Sequence, residues 1–147
     1  MELLSATPDD AAVRAKIGVV FEDAYFYESL TPAQVGASLR GIFGPAWDAG
    51  YFAALLEQFH LPPKKSIKEL SRGMRMKLNL ASALAHRPGL LVLDEATSAL
   101  DEATEAKVLS RLKALGDVTV LIITHRPAAL KLCGQVLRME EGKVEAT

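Results

Sequence analysis

The stretch Leu90-Leu91-Val92-Leu93-Asp94-Glu95 places four apolar residues directly before two acidic ones. A short apolar run that follows a turn signal such as Arg87-Pro88-Gly89 is typical of a buried strand in a parallel sheet. The carboxyl end of such a strand lies at the sheet edge where open α/β folds bind their ligands. The stretch therefore predicts an α/β fold that presents two carboxylates at that edge.

Further strands are predicted on both sides of this one. Apolar runs cover Ile17 to Phe21 and Val118 to Ile123, and another strand is expected from Gln135 to Met139, before a hairpin turn at Glu141-Gly142-Lys143. Strands that alternate with helices imply a mostly parallel sheet of the βαβ kind. Because the runs are continuously apolar, we expect both faces of the sheet to be covered.

Helices are predicted between these strands, above all from residue 31 to 86. Three are expected there: one from Thr31-Pro32 to a break at Gly41 to Pro45, one from Trp47 to His60, and one from Ser71 to about Ala85. Another is expected from Glu102 to Leu115. Near the chain start, Thr7-Pro8-Asp9-Asp10 has the composition of a helix cap.

Several side chains of this helical region are predicted to be structural. The aromatic residues of the second helix form a packing face: Trp47, Tyr51, Phe52 and Phe59. His86 follows the third helix, where an imidazolium would interact favourably with the helix dipole. The aromatic run from Tyr25 to Tyr27 fits core packing as well as a groove for a partner.

Composition limits the kinds of function that are open. The 147 residues fit one domain, 50% of them are apolar, and the net charge is −1. This charge gives no electrostatic reason to expect nucleic acid as a partner. The chain has one cysteine, no apolar run long enough to span a membrane and no secretory signal. We therefore expect a soluble, cytoplasmic protein.

The acidic pair at the end of the central strand suggests a specific chemistry. A carboxylate in the position of Asp94 suits Mg²⁺, held directly or through water. A carboxylate in the position of Glu95 suits the orientation and deprotonation of an attacking water. The fragment alone is also compatible with a strand that ends in a solvated acidic turn.

Two other places add to the acidic pair. In Leu70-Ser71-Arg72-Gly73-Met74, a serine and a glycine at a helix start present free N–H groups and the positive end of the dipole, which can receive a phosphate. His125 follows a buried strand, at the sheet edge that also carries Asp94. Taken alone, these residues favour an ordinary N-cap and a surface loop histidine.

Together, in this order and spacing, the residues resemble the ATP-binding cassette (ABC) family. Ser71 lies 23 residues before Asp94 with a helix between them, Ser98-Ala99-Leu100-Asp101 follows, and His125 closes the set. This is the family order of signature loop, Walker B, D-loop and switch histidine. The resemblance runs from about Ile17 to the C-terminus.

The resemblance implies a fold and a division of the chain. The fold would be α/β, a partial P-loop NTPase of the ABC ATPase type, with a mostly parallel sheet and an α-helical signature subdomain. Residues 1–147 would form a single incomplete domain. It would comprise a Q-loop segment at 1–30, the helical subdomain with the signature motif at 31–88, and a Walker B to switch-histidine core at 89–147.

The resemblance also implies roles for the catalytic residues. Asp94 is similar to the Walker B aspartate that supports Mg²⁺, and Glu95 to the general base. His125 is similar to the switch histidine at the γ-phosphate of ATP. The implied cofactors are therefore ATP and Mg²⁺, and the implied activity is ATP hydrolysis.

Further residues would bind the nucleotide or the neighbouring subunit. Ser71, Arg72 and Gly73 are similar to signature residues that contact the nucleotide of the opposite subunit, and Asp101 to the D-loop residue that reaches across the dimer interface. Glu22 stands where the family has its Q-loop glutamine, a position that supports the metal. The signature is LSRGM here and LSGGQ in most of the family. The subfamily stays open.

One family motif is missing from these 147 residues. The phosphate-binding loop has the pattern G-x-x-x-x-G-K-[ST]. The single Gly-Lys pair is Gly142-Lys143, where Val144 follows and Leu137 stands in place of the first glycine. We therefore expect poor ATP binding by the chain alone. We also expect the strand from Leu90 to Leu93 to lack a neighbour in the sheet.

The resemblance implies the nucleotide-binding subunit of an ABC transporter. It would work with a transmembrane transporter subunit and form a homo- or heterodimer with another ABC ATPase domain. Its place would be the cytoplasm, peripheral on the inner face of the cell membrane. The alternative is a non-hydrolysing module, or a truncated remnant, that lends signature and D-loop residues to another subunit's ATP site.

Overall fold

The computed structural model describes residues 11–22, 26–140 and 142–146. The predicted cap from Thr7 to Asp10 lies outside the described residues, as do Tyr25 and Glu141. Of the aromatic run around residue 26, Phe26 packs against the core and Tyr27 is exposed. None of the described helices is both long and apolar enough to cross a membrane.

A three-stranded parallel sheet forms the centre of the molecule. Its strands are β1 (Ile17–Phe21), β2 (Leu90–Asp94) and β3 (Thr119–Ile123), in the order β1-β2-β3. The α/β fold predicted from the sequence is confirmed. The expectation that residues 90 to 93 lack a neighbour is wrong, because β2 is hydrogen-bonded to a strand on each side.

Helices precede β1 and fill the long connection from β1 to β2. They are α1 (Ala11–Arg14), α2 (Pro32–Phe43), α3 (Ala49–Gln58) and α4 (Arg72–Leu84), with 3-10 turns at Gly44–Ala46 and Ile67–Glu69. Local signals set their starts. Thr31 and Gln34 form a capping box at α2, and the Asp48 carboxylate accepts the Tyr51 N–H at 2.8 Å at α3. The break predicted after α2 falls at Gly44, whose φ of 55° ends the helix.

The remaining elements are a 3-10 turn at Ala96–Ala99, α5 (Glu102–Ala114), α6 (Pro127–Leu130), β4 (Leu137–Glu140) and β5 (Lys143–Ala146). The strand predicted from Gln135 begins at Leu137, and it pairs antiparallel with β5 instead of joining the parallel sheet. Gly142, with φ 78°, supplies the turn between these two strands. The predicted hairpin turn is thus confirmed, and the membership of this strand in the parallel sheet is not.

Helix α4 packs on one face of the sheet. Leu78, Leu80 and Ala81 are fully buried, and so are Leu91 and Leu93 of β2. Close approach depends on Gly18, because a Cβ there would lie 2.7 Å from the Ala83 carbonyl oxygen. Helices α2 and α3 cover the other side of α4, and Trp47, Phe52 and Phe59 are buried in that layer as predicted.

The opposite face of the sheet is open among the described residues. Val19 and Phe21 of β1 are 41% and 54% exposed, and Leu121 and Ile123 of β3 are 48% and 49% exposed. Alternate residues of a strand share a face, so these four side chains form one apolar surface. The expectation that both faces are covered is wrong for this part of the chain. Apolar runs alone do not tell which part of a protein covers them.

His86, just after α4, lies in the core. Its side chain stacks on Phe43 with ring centroids 4.4 Å apart, and the residue is 6% exposed. Neither ring nitrogen has a hydrogen-bond partner among the described residues. Burial lowers the pKa of His86. The nearby Ile17 backbone raises it by a smaller amount, although the geometry there falls short of a hydrogen bond. Burial thus favours the neutral imidazole, whereas the predicted interaction with the helix dipole needs the charged form.

The buried imidazole makes stability depend on pH. Its folded pKa lies below the usual 6.5, so its contribution is complete above that pH and is lost as pH falls towards the folded value. We expect the wild type to lose stability below about pH 6.5 relative to His86→Phe, with a slope of at most about 1.4 kcal/mol per pH unit. Urea unfolding at pH 5 to 8 measures the difference. Parallel curves for the two proteins would contradict neutral burial.

Candidate active site at the carboxyl edge of the sheet

The three strands end at the same level. Phe21, Asp94 and Ile123 are register partners across β1, β2 and β3. The residues that follow them therefore emerge at one edge, as expected for parallel strands. Glu22, Glu95 and His125, which are far apart in the sequence, come to this edge from three different strands.

Glu95 is held in an unusual backbone conformation. Its φ of 48° lies in the left-handed region, which costs a residue with a side chain about 1 kcal/mol. Its N–H donates to the Ile123 carbonyl at 2.9 Å and so continues the contact between β2 and β3 by one residue. The strained turn therefore fixes the start of the Glu95 side chain relative to the end of β3.

The Glu95 carboxylate contacts His125. Glu95 Oε1 lies 2.9 Å from His125 Nδ1, while Glu95 Oε2 is buried and has no hydrogen-bond partner among the described residues. The His125 side chain is 81% exposed. If Nδ1 carries the proton, it donates to Glu95, and Nε2 is then available to another group. The structure thus brings two predicted catalytic residues together, with the second carboxylate oxygen of Glu95 shielded and without a partner among the described residues.

Asp94 lies at the end of β2 and is partly exposed. No hydrogen bond or ion pair joins its carboxylate to another described residue. Among the described residues, no group of three or more His, Cys, Asp or Glu is arranged to hold a metal ion. Mg²⁺ often uses one or two carboxylates together with phosphate oxygens and water. The Asp94 carboxylate has the donor chemistry that such an ion uses, and a Mg²⁺ contact stays a prediction.

The predicted signature residues lie at the start of α4. Ser71 Oγ accepts the Met74 N–H at 3.2 Å as the N-cap, and both Ser71 and Arg72 are exposed. A Cβ at Gly73 would lie 3.3 Å from Leu100 Cδ2, so the helix start lies close to the segment that follows Glu95. The cap is confirmed. Contact with a nucleotide stays a prediction.

Glu22 lies between the start of α4 and the turn that follows β2. Its Oε1 accepts a hydrogen bond from Arg72 Nη2 at 2.9 Å and another from Ser98 Oγ at 2.9 Å. The residue after β1 is thus joined to the start of α4 and to the turn after β2. A metal contact by Glu22 stays a prediction, and in this structure Oε1 already has two donors.

Asp101 serves as the N-cap of α5. Its two carboxylate oxygens accept the Thr104 hydroxyl at 2.7 Å and the Thr104 N–H at 2.9 Å. Both hydrogen bonds from Thr104 lower the pKa of Asp101, and the bond from the hydroxyl has the larger effect. Within this chain the carboxylate therefore stabilises a helix end. Its predicted reach across a dimer interface stays a prediction.

An ionic cluster that the sequence analysis missed, with a buried carboxylate and a partly exposed guanidinium, lies next to the edge. We call Thr97, Glu105 and Arg126 the Arg126 cluster. Glu105 is 1% exposed and accepts the Thr97 hydroxyl through Oε1. Arg126 Nη1 lies 3.2 Å from Glu105 Oε2, an ion pair whose alignment falls short of a hydrogen bond.

The same guanidinium also holds backbone. Arg126 Nη1 donates to the Thr97 carbonyl at 2.8 Å and to the Leu100 carbonyl at 3.1 Å. The segment after Glu95 is therefore attached to the residue after His125. A signal was present in the sequence: Glu105 shares a helix face with Val108, Leu109 and Leu112, where an acidic residue is unexpected.

The Arg126 cluster should contribute strongly to stability. Arg126→Met leaves the buried Glu105 charge without compensation, so we expect a loss of about 3 kcal/mol in the free energy of unfolding, measured with urea at pH 7. Adding Glu105→Gln removes the uncompensated charge and should recover part of the loss. Arg87→Met, which breaks the exposed pair with Asp48, is the matched control and should cost clearly less. Equal losses for the two single variants would show that the cluster is not a stabilising centre.

Comparison with known proteins gives a consistent picture. A family model described as "ABC transporter" matches residues 3–98. The chain is 32% identical over 145 residues to the cyclolysin secretion/processing ATP-binding protein CyaB of Bordetella pertussis, covering 92% of this chain and 20% of that protein. It is 34% identical over 143 residues to the methionine import ATP-binding protein MetN 2 of Shouchella clausii, covering 89% and 41%.

Solved structures show the same fold. A putative metal-chelate type ABC transporter in an inward-facing conformation aligns with a TM-score of 0.75 at 25% identity, covering 90% of this chain and 58% of that chain. The ATP-binding subunit of an ABC transporter aligns with a TM-score of 0.77 at 22% identity, covering 92% and 60%, and supports the fold alone. The chain thus spans about a fifth to two fifths of these two curated relatives.

Proposed function

The chain belongs to the ABC transporter family of ATP-binding domains, and from this we propose that it supplies the Walker B, signature and switch-histidine part of an ATP-hydrolysing domain. Hydrolysis by that domain would drive transport through a separate transmembrane subunit at the inner face of the membrane. The observation that carries this proposal is the contact between Glu95 and His125, with Glu95 Oε2 buried and unbonded beside it.

The proposed mechanism divides the work between the two oxygens of Glu95. Oε1 is held by His125, so we assign proton acceptance from the attacking water to Oε2, which is shielded from solvent in this structure and would be exposed by rotation of the carboxylate in the assembled site. The second ring nitrogen of His125 would contact the phosphate itself. Mg²⁺, when bound, would neutralise charge on the phosphates, and Asp94 is the residue that would hold it.

The site needs a phosphate cradle that these 147 residues do not contain. We place the segment that brings it, on this or another polypeptide, against the open face of the sheet. Asp94 belongs to the row of Phe21 and Ile123, so it shares that face with the four exposed apolar side chains. A segment with an apolar surface would bury these side chains and bring its phosphate-binding loop close to Asp94.

Replacement of the proposed base tests the reaction. In the assembled ATPase, which includes a phosphate-binding loop, Glu95→Gln should lower kcat by at least about a hundredfold because the amide cannot accept the proton. ATP binding should persist. Phosphate release and equilibrium nucleotide binding are the two measurements. Glu102→Gln, an exposed change at the start of α5, is the control. An unchanged rate for Glu95→Gln would show that Glu95 is not the base that accepts the proton.

Replacement on the open face tests where the cradle docks. Leu121→Lys should cost little in the isolated chain, where the side chain is about half exposed. In the assembled domain it should lower the free energy of unfolding by about 2 kcal/mol, because the charge would then be buried. Val144→Lys on the hairpin, at a side chain that is 57% exposed, is the control outside this face. Equal effects of Leu121→Lys in both contexts would contradict the docking.

A second candidate function uses the signature residues at the start of α4 together with Asp101. The chain would hydrolyse nothing itself and would lend Ser71, Gly73 and Asp101 to the ATP site of another ABC domain in a dimer. The exposed N-cap at Ser71 favours this candidate. The same ATPase assay separates the two: a rate that is lost in Ser71→Arg and kept in Glu95→Gln would support the second candidate.

A further inference from the structure

Two residues that depart from the family pattern contact each other. Glu22 stands at the Q-loop position and Arg72 inside the signature, 50 residues further along the chain. Their side chains form an ion pair with 2.9 Å between Glu22 Oε1 and Arg72 Nη2. The same oxygen accepts the Ser98 hydroxyl. The two departures therefore compensate each other in charge instead of acting separately.

The pair joins different parts of the fold. Glu22 directly follows β1 of the sheet, Arg72 is the first residue of α4 in the helical layer, and Ser98 lies in the turn after β2. The contact thus connects the signature turn to the edge that carries Glu95.

Electrostatics also favour the pair. A cation in the first turn of a helix is unfavourable because it lies at the positive end of the helix dipole. The Glu22 carboxylate supplies the opposite charge at this point, and its Oε1 has two donors. A metal ion at the same oxygen would have to displace both the guanidinium and the hydroxyl.

From this geometry we propose that Glu22 is a positioning residue for Arg72 and Ser98 and does not ligate a metal. It holds the start of α4 in place and neutralises Arg72 while no nucleotide is bound. The inference rests on the proposed function in one respect: a triphosphate that arrives at the signature turn would compete with Glu22 for Arg72. Opening of the pair would then free the cation for the phosphate.

Hydrogen exchange in the absence of nucleotide tests the inference on the native protein. The readouts are the exchange rates of peptides that cover residues 71–78 and 96–100. Glu22→Ala and Arg72→Met should each accelerate exchange in the 71–78 peptide about two- to fivefold, the range that exposed ion pairs reach. The double variant should exchange no faster than Glu22→Ala alone, because that single change already removes both contacts of the carboxylate. The reversed pair, Glu22→Lys with Arg72→Glu, should restore protection.

A neighbouring ion pair provides the control variant, and two outcomes would contradict the proposal. Glu28→Gln breaks a second carboxylate–arginine pair, between Glu28 and Arg75 of α4 at 3.6 Å, and should leave the 96–100 peptide unchanged. If Glu22→Ala accelerates exchange equally with and without Arg72, the pairing is wrong. If Mg²⁺ alone slows exchange around residue 22 in the wild type and in Arg72→Met but not in Glu22→Ala, Glu22 is a metal ligand. Because no nucleotide is used, these results are independent of whether the domain hydrolyses ATP.

Discussion

The common register of three parallel strands is the constraint on which the rest of the structure depends. Because β1, β2 and β3 stop at Phe21, Asp94 and Ile123, the next residues of each strand emerge side by side. The N–H of Glu95 then bonds to the end of β3 and turns its side chain into reach of His125. A slip of one residue in either pairing would send alternate side chains to the other face and separate these groups.

The Arg126 cluster supports the arrangement of Glu95 and His125 at the sheet edge. The Arg126 cluster attaches the segment after Glu95 to the residue after His125, with Glu105 buried and Arg126 partly exposed. In such surroundings, paired charges interact strongly and an unpaired one is costly. The Arg126 cluster therefore holds together the two segments that follow Glu95 and His125. The His125 side chain itself stays exposed.

Local sequence signals predicted the elements well, and long-range placement poorly. The apolar run before Asp94, the cap at Ser71 and the end of α2 near Gly44 each follow from a few neighbouring residues, and each is confirmed. The position of β2 in the centre of the sheet, the Glu22–Arg72 pair and the Arg126 cluster depend on residues tens of positions apart. An apolar strand has the same pattern whether its second face is covered by its own chain or by another segment, so the open face could not be predicted. His86 shows a further limit, because its position at a helix end favoured a charged form that burial disfavours.

The most direct measurement is a crystal structure of the assembled ATPase with Mg²⁺ and a non-hydrolysable ATP analogue. The account predicts the γ-phosphate at the carboxyl edge of the sheet, with His125 in contact with it. A water molecule should bridge Glu95 Oε2 and the phosphorus, and Asp94 should lie beside the metal. A γ-phosphate bound away from this edge, with Glu95 Oε2 still buried and unbonded, would contradict the account.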